Sequence, residues 1–98
     1  MNLRLLAKGK PCQLRLHEDD GKRICNFDSA TTVLAHIRLA GISGCALKPP
    51  DLVGVWACSD CHDVIDGRRK AKIRDLDKDK LAGLCRTLTL VWKELDLG

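Results

Sequence analysis

The sequence predicts a small α+β domain: two short strands, a short helix directly after them, and a longer helix at the C-terminus. Three observations carry this. The runs Thr31-Thr32-Val33-Leu34-Ala35-His36-Ile37-Arg38-Leu39 and Leu52-Val53-Gly54-Val55-Trp56-Ala57 are rich in β-branched and apolar residues over strand length. In the tail from Asp77 to Leu97, Leu81, Leu84, Leu88, Val91, Trp92 and Leu95 recur at spacings of three and four, with Cys85 on the same face, which predicts a helix buried along one stripe. Between strand and tail, Cys58 to Gly67 offers Ser59 or Asp60 as a helix cap and Gly67 as its stop.

Leu3 to Ala7 is a short amphipathic piece closed by Gly9 and Pro11, and residues 12–30 read as a polar hairpin or loop bounded by cysteines. Within that segment Gln13 to His17 alternates at strand period and Glu18-Asp19-Asp20-Gly21 supplies the turn. Gly41, Gly44, Pro49 and Pro50 mark a long loop between the two strands, of a length that often carries function. The expected organisation is one domain over residues 1–98, with a strand–strand–helix core at about 31–67 and the C-terminal helix at about 77–97.

Length and composition explain why cysteine matters here. The chain has 98 residues, 45% of them hydrophobic and 31% charged, so it reads as globular. A chain this short buries only roughly 65% of its unfolded surface, and its aromatic residues are Phe27, Trp56 and Trp92 alone. So thin a core calls for a disulfide, metal or subunit staple. Met1 to Lys10 is too charged for a secretory signal, and no apolar run is long enough to span a membrane. The expected compartment is the cytoplasm, where thiols stay reduced and metal binding outranks disulfides.

Cys58-x-x-Cys61 is a chelating knuckle that needs a second pair of ligands. Cys12 and Cys25, near the two ends of the hairpin segment, are the candidates for a structural zinc site. Cys85, on an apolar helical face, and Cys45, in the glycine-bearing loop, are expected to play no chemical role. A second constellation comprises His36, His62 and Asp66. His62 and Asp66 stand one helical turn apart and can grip one cation, while His36 can accept a proton near neutral pH; a structural role for His36, or His62 as a zinc ligand, is the plainer alternative. The net charge is +4, and Arg68, Arg69, Lys70, Lys72 and Arg74 lie within seven residues. That cluster suits a phosphate backbone or a solvated connector equally well; Arg38 and Lys48 are further candidates for phosphate contact.

These residues carry a resemblance. The order of cysteine pair, histidine-bearing strand, glycine- and proline-bearing loop, second strand and Cys-x-x-Cys-His opening a helix resembles the zinc-containing HNH endonucleases of the ββα-metal, or His-Me finger, group. Val33 to Arg38, Lys48 to Leu52 and Ala57 to Asp66 further resemble a small prophage-encoded nuclease family related to YbcO. The resemblance covers roughly residues 8–70. It implies a ββα-metal domain that hydrolyses phosphodiester bonds, with His36 as general base, His62 as ligand of a catalytic Mg2+, Mn2+ or Zn2+, and Asp66 as a further ligand. Two positions depart from the HNH pattern: Ala35 stands where an acidic residue or histidine usually precedes the base, and residues 52–57 lack the asparagine that orients it. Asp51 or Asp63 is available as a substitute. The partner this implies is nucleic acid, DNA first; no base-reading helix is apparent, which predicts weak sequence specificity. A further expectation is a zinc-stabilised module that pairs as a homodimer through the C-terminal helix. The competing expectation is a zinc-bound nucleic-acid- or protein-binding module without catalysis.

Overall fold

The structure, a computed structural model, describes residues 2–37 and 51–96. In chain order its elements are helix α1 (Leu3–Ala7), a 3-10 turn (Ser29–Thr31), strand β1 (Val33–His36), strand β2 (Gly54–Ala57), helix α2 (Ser59–Ile65) and helix α3 (Leu76–Glu94). The small α+β architecture with a two-stranded sheet and a C-terminal helix is as expected. Arg38, Lys48 and Cys45 lie outside the described residues.

β1 and β2 are antiparallel, with Val33 opposite Ala57, Leu34 opposite Trp56, Ala35 opposite Val55 and His36 opposite Gly54. Both strands are shorter than their apolar runs. The first run begins as a 3-10 turn because the Asp28 carboxylate accepts the Ala30 N–H at 3.0 Å, which closes a turn before the ladder starts.

β2 is buried along its whole length. Its free edge is satisfied from two directions, since Gln13 N–H donates to the Trp56 carbonyl at 2.6 Å and Trp56 N–H donates to Thr87 Oγ1 at 3.1 Å. Alternation along the strands then divides the apolar residues into two groups. Ala35, Ile37, Val55 and Ala57 pack with Leu14, Leu16, Ile24, four cysteines and Val64 of α2. Leu34 and Trp56 pack with Ala7 of α1 and Val91 of α3.

Segment 12–25 differs from a polar hairpin. Leu14, Leu16 and Ile24 are buried, the pairing reduces to one bridge between His17 and Arg23, and Gly21 (φ 91°) completes the turn. Its apolar side chains fill the space beneath the sheet that so short a chain cannot fill with a third strand.

The stripe expected on α3 is displaced. Gly83, Thr87 and Val91 form the buried line, while Leu81, Leu88 and Trp92 are exposed by 62%, 37% and 54%. The reason is close approach: a Cβ on Gly83 would stand 3.0 Å from both Leu14 Cδ2 and Val55 Cγ2. The helix turns its smallest residue inward there, and Thr87 follows one turn later to bond Trp56. Leu84, Leu90 and Leu95 are half-buried around that line. No helix among the described residues is long and apolar enough to cross a membrane.

Candidate metal centre and histidine site

Cys12, Cys25, Cys58 and Cys61 converge. All four are buried, and their sulfurs lie within 4.8 Å of one another. The Cys25 and Cys58 sulfurs are 3.7 Å apart, close to the roughly 3.8 Å edge of a tetrahedron with metal–sulfur bonds of about 2.3 Å. This arrangement can bind a metal such as zinc.

Local backbone builds the site from two sides. Cys58 itself caps α2, its sulfur accepting Cys61 N–H at 3.4 Å. Neither Ser59 nor Asp60 takes that place, because the thiol is already aimed into the first turn. On the other side, the Leu16 carbonyl accepts N–H bonds from Ile24 (3.1 Å) and Cys25 (3.0 Å), which folds Cys25 back toward Cys12. Arg15 (φ 51°) and Phe27 (φ 53°) adopt left-handed backbone, and their backbone N–H groups act to lower the Cys12 and Cys25 thiols. Leu16 N–H donates to the Cys61 sulfur at 3.4 Å. Backbone donors thus surround the sulfurs, as expected where thiolate charge collects.

Cys12, Cys25 and Cys61 are pushed in opposite directions. A hydrogen bond from Cys61 draws the Cys12 thiol well below its ordinary value. The same bond, followed by burial, pushes Cys61 up, and burial pushes Cys25 up. One lowered thiol beside two raised ones is a set that a divalent cation could complete, since taking thiolates as ligands displaces their protons. Cys85 stays apart and exposed.

The histidines are disposed differently. His36, at the end of β1, engages Asp51 Oδ1 through Nε2 at 2.7 Å, and Arg4 Nε from α1 reaches the same oxygen at 3.3 Å. The His36 side chain is 11% exposed and that of Asp51 38%. His36 pairing draws the Asp51 carboxyl below the usual carboxylate range, with Arg4 adding to the effect. Of the two substitutes for the missing asparagine, Asp51 is the one bonded to His36. Arg4 is a member of this site that sequence reading missed, since nothing local ties α1 to position 51.

His62 Nε2 and Asp66 Oδ2 lie 3.6 Å apart on α2, one turn from each other. Arg68 stands 3.5 Å from the same Asp66 oxygen and 4.0 Å from Asp63, and Arg69 pairs with Asp60 at 3.2 Å. Among the described residues, the cysteine set is the one group of three or more His, Cys, Asp or Glu side chains gathered for a metal ion. His36 is not brought into such a group with His62 and Asp66. Strand alternation places it on the Leu34 side of the hairpin, whereas Cys61 and Val64 anchor α2 on the Ala35 side. Within the basic cluster, the side chains of Lys70, Lys72 and Arg74 form no ion pair with a carboxylate among the described residues.

Residues 1–96 match the family described as "Putative nuclease YbcO". The chain belongs to the YbcO family. It is 43% identical over 94 residues to "Putative nuclease YbcO" of Escherichia coli strain K12, covering 95% of this chain and 93% of that one. The same figures hold for "Putative nuclease ybcO" of Enterobacteria phage 82. A solved structure described as that of "a putative bacteriophage protein from Escherichia coli str. K-12 substr. MG1655" superposes with a TM-score of 0.70 at 35% identity, covering 97% of this chain and all of the other. Membership in the YbcO family therefore rests on nearly the whole chain, including α3.

Proposed function

We propose that this YbcO-family protein is a metal-dependent endonuclease of HNH type that hydrolyses phosphodiester bonds in nucleic acid, DNA first, around a structural zinc held by Cys12, Cys25, Cys58 and Cys61. The observation that carries the reading is the 2.7 Å bond between His36 Nε2 and Asp51. A carboxylate that accepts Nε2–H leaves the Nδ1 lone pair as the base, and it stabilises the ring once that atom has taken a proton from water. Asp51 then performs the orienting task for which the second strand has no asparagine.

His62 and Asp66 would hold the catalytic cation, which when bound neutralises charge developing on the scissile phosphate. Arg68, 3.5 Å from Asp66 Oδ2, would contact phosphate beside that cation. Arg69, Lys70, Arg38 and Lys48 complete the proposed nucleic-acid contacts. The reading requires His36 and the His62–Asp66 pair to reach one phosphate from different faces of the hairpin.

Cleavage of supercoiled and branched DNA, with Mg2+, Mn2+ or Zn2+ supplied, tests it. His36→Ala is expected to lower the rate by about 10²–10⁴-fold. His62→Ala should do likewise while bound zinc and helicity stay at wild-type levels. Equal residual cleavage by wild type and His36→Ala would reject His36 as the base.

A second reading is favoured by the opposite-face placement of His36 and by Arg68 on Asp66: a zinc-bound binding module without catalysis. Salt-sensitive DNA binding with no cleavage under any of the three metals would select it. The proposed homodimer is supported by exposed Leu81, Leu88 and Trp92 along one side of α3; sedimentation showing a monomer at assay concentration would remove it.

A further inference from the structure

The Arg15 and Arg86 guanidinium groups share a depression that neither the cysteine sulfurs nor the histidines line. With Gln13, Thr89 and Leu90 they line an open depression of about 370 Å³ between the 12–15 turn and α3. Gln13 is the keystone. It is 1% exposed, its Nε2 donates to the Pro11 carbonyl at 3.0 Å, and its Oε1 accepts Arg15 Nη2 at 3.3 Å. Its own carbonyl accepts Arg86 Nε at 3.1 Å and Arg86 Nη2 as well, while Arg15 Nε donates to the Cys12 carbonyl at 3.3 Å.

Every one of these acceptors is neutral. Among the described residues no carboxylate pairs with either guanidinium. Two cations are therefore oriented by a buried amide and two carbonyls, each committing two N–H groups to the protein and keeping the rest of its planar fork. Like charges fixed around one depression repel, and the natural relief is an anion that accepts from both forks. Arg15 holds φ 51°, a conformation glycine adopts without strain, so glycine can replace it without straining the turn.

We propose that Arg15 and Arg86 form a binding site for a phosphate group, separate from the proposed catalytic residues. The site deepens the nuclease reading by naming a place where backbone phosphate is held, and it rests on that reading only for the source of the phosphate.

The test uses the full, metal-loaded chain, with inorganic pyrophosphate as the small probe and duplex and single-stranded DNA oligonucleotides as the polymer. Arg15→Gly removes the guanidinium while suiting the left-handed backbone, with retained helicity and bound zinc checked before binding is read; Arg86→Gln, which leaves Gln13 Oε1 bonded to Arg15, is the second variant. Wild type is expected to show pyrophosphate-dependent shifts of the arginine Nε–H resonances. Each variant should weaken pyrophosphate binding by at least about tenfold, the loss of one charged hydrogen-bond pair. Each should also lower the slope of log K against log salt by about 0.9 on duplex or about 0.7 on single strands.

Pyrophosphate binding that persists unchanged in Arg15→Gly and Arg86→Gln overturns the site. Loss of pyrophosphate binding with an unchanged DNA salt slope assigns the site to a free phosphate compound and overturns the backbone source. The nuclease reading is judged apart from this: a wild type that binds pyrophosphate through these arginines but never cleaves nucleic acid sinks that reading and leaves the site standing. His36-dependent cleavage with unaltered binding in both arginine variants does the reverse.

Discussion

Asp51 shows how much one side chain can join. It accepts from His36 and from Arg4, so it links β1, the start of the segment leading into β2, and α1. Its folded-state value is depressed, so as pH falls the unfolded chain takes up this proton first. The Asp51 contribution to stability is therefore fully present above the unfolded value of about 3.9 and is lost as pH drops through the lower folded value. A series of melting temperatures from pH 6 to pH 2 is expected to fall less steeply in this acid window for Asp51→Asn than for wild type, and added salt should shrink the difference because the carboxylate is partly exposed. Identical acid limbs in the two proteins would contradict the link. The same carboxylate was readable in advance only as one of two substitutes for the absent asparagine; Asp63 was equally available in sequence and instead lies 4.0 Å from Arg68.

Elements are held to one another here by a few close approaches more than by broad apolar faces. Thr87 Oγ1 gives Trp56 N–H its partner, and replacement by the isosteric valine leaves a buried donor unsatisfied. Thr87→Val is expected to cost about 1–3 kcal/mol in chemical denaturation. Gly54 makes a second such contact, since an added Cβ would stand 2.7 Å from Leu34 Cδ1 and 3.0 Å from the Asp51 carbonyl. Gly54→Ala should destabilise by about 1–3 kcal/mol, and it should also disturb the Asp51–His36 bond; an unchanged denaturation midpoint would show that the hairpin end can spread. The three-and-four spacing of leucines on α3 correctly announced a helix but mislocated its buried line, because periodicity counts apolar residues while docking depends on how near two backbones must come. At this interface a glycine and a threonine sit closest, and three large residues remain outside.

For the molecule as a whole, the four-cysteine cluster ties the irregular first half to the hairpin and α2. Four cysteines from three stretches of chain meet inside the larger apolar cluster, with no disulfide among them. Structural zinc sites supply an apparent 10–16 kcal/mol or so, comparable with the whole stability of a small domain. Chelation at neutral pH is accordingly expected to unfold the chain in one transition, read by loss of near-ultraviolet dichroism from Trp56 and recovered on adding Zn2+. Cys58→Ser or Cys61→Ser should lose the metal, while Cys85→Ser, altering an exposed thiol, should stay within about 0.5 kcal/mol of wild type. A chain that keeps its tertiary dichroism after complete metal removal would refute this account.

The sequence by itself determined the α+β class and the approximate place of each described strand and helix, because periodicity is a local signal; chelate spacing singled out Cys58 and Cys61, and the two ends of the segment before β1 offered Cys12 and Cys25 as their partners. It also placed His62 and Asp66 one turn apart, which helix geometry alone requires. Only the tertiary structure decided that His36 pairs with Asp51 under Arg4, that β1 turns His36 to the face opposite α2, and that Gly83 and Thr87 meet β2. Each of these depends on strand register and on the distance between backbones far apart in the chain. Such distances are set by how all the side chains pack at once, and no single stretch of residues encodes them.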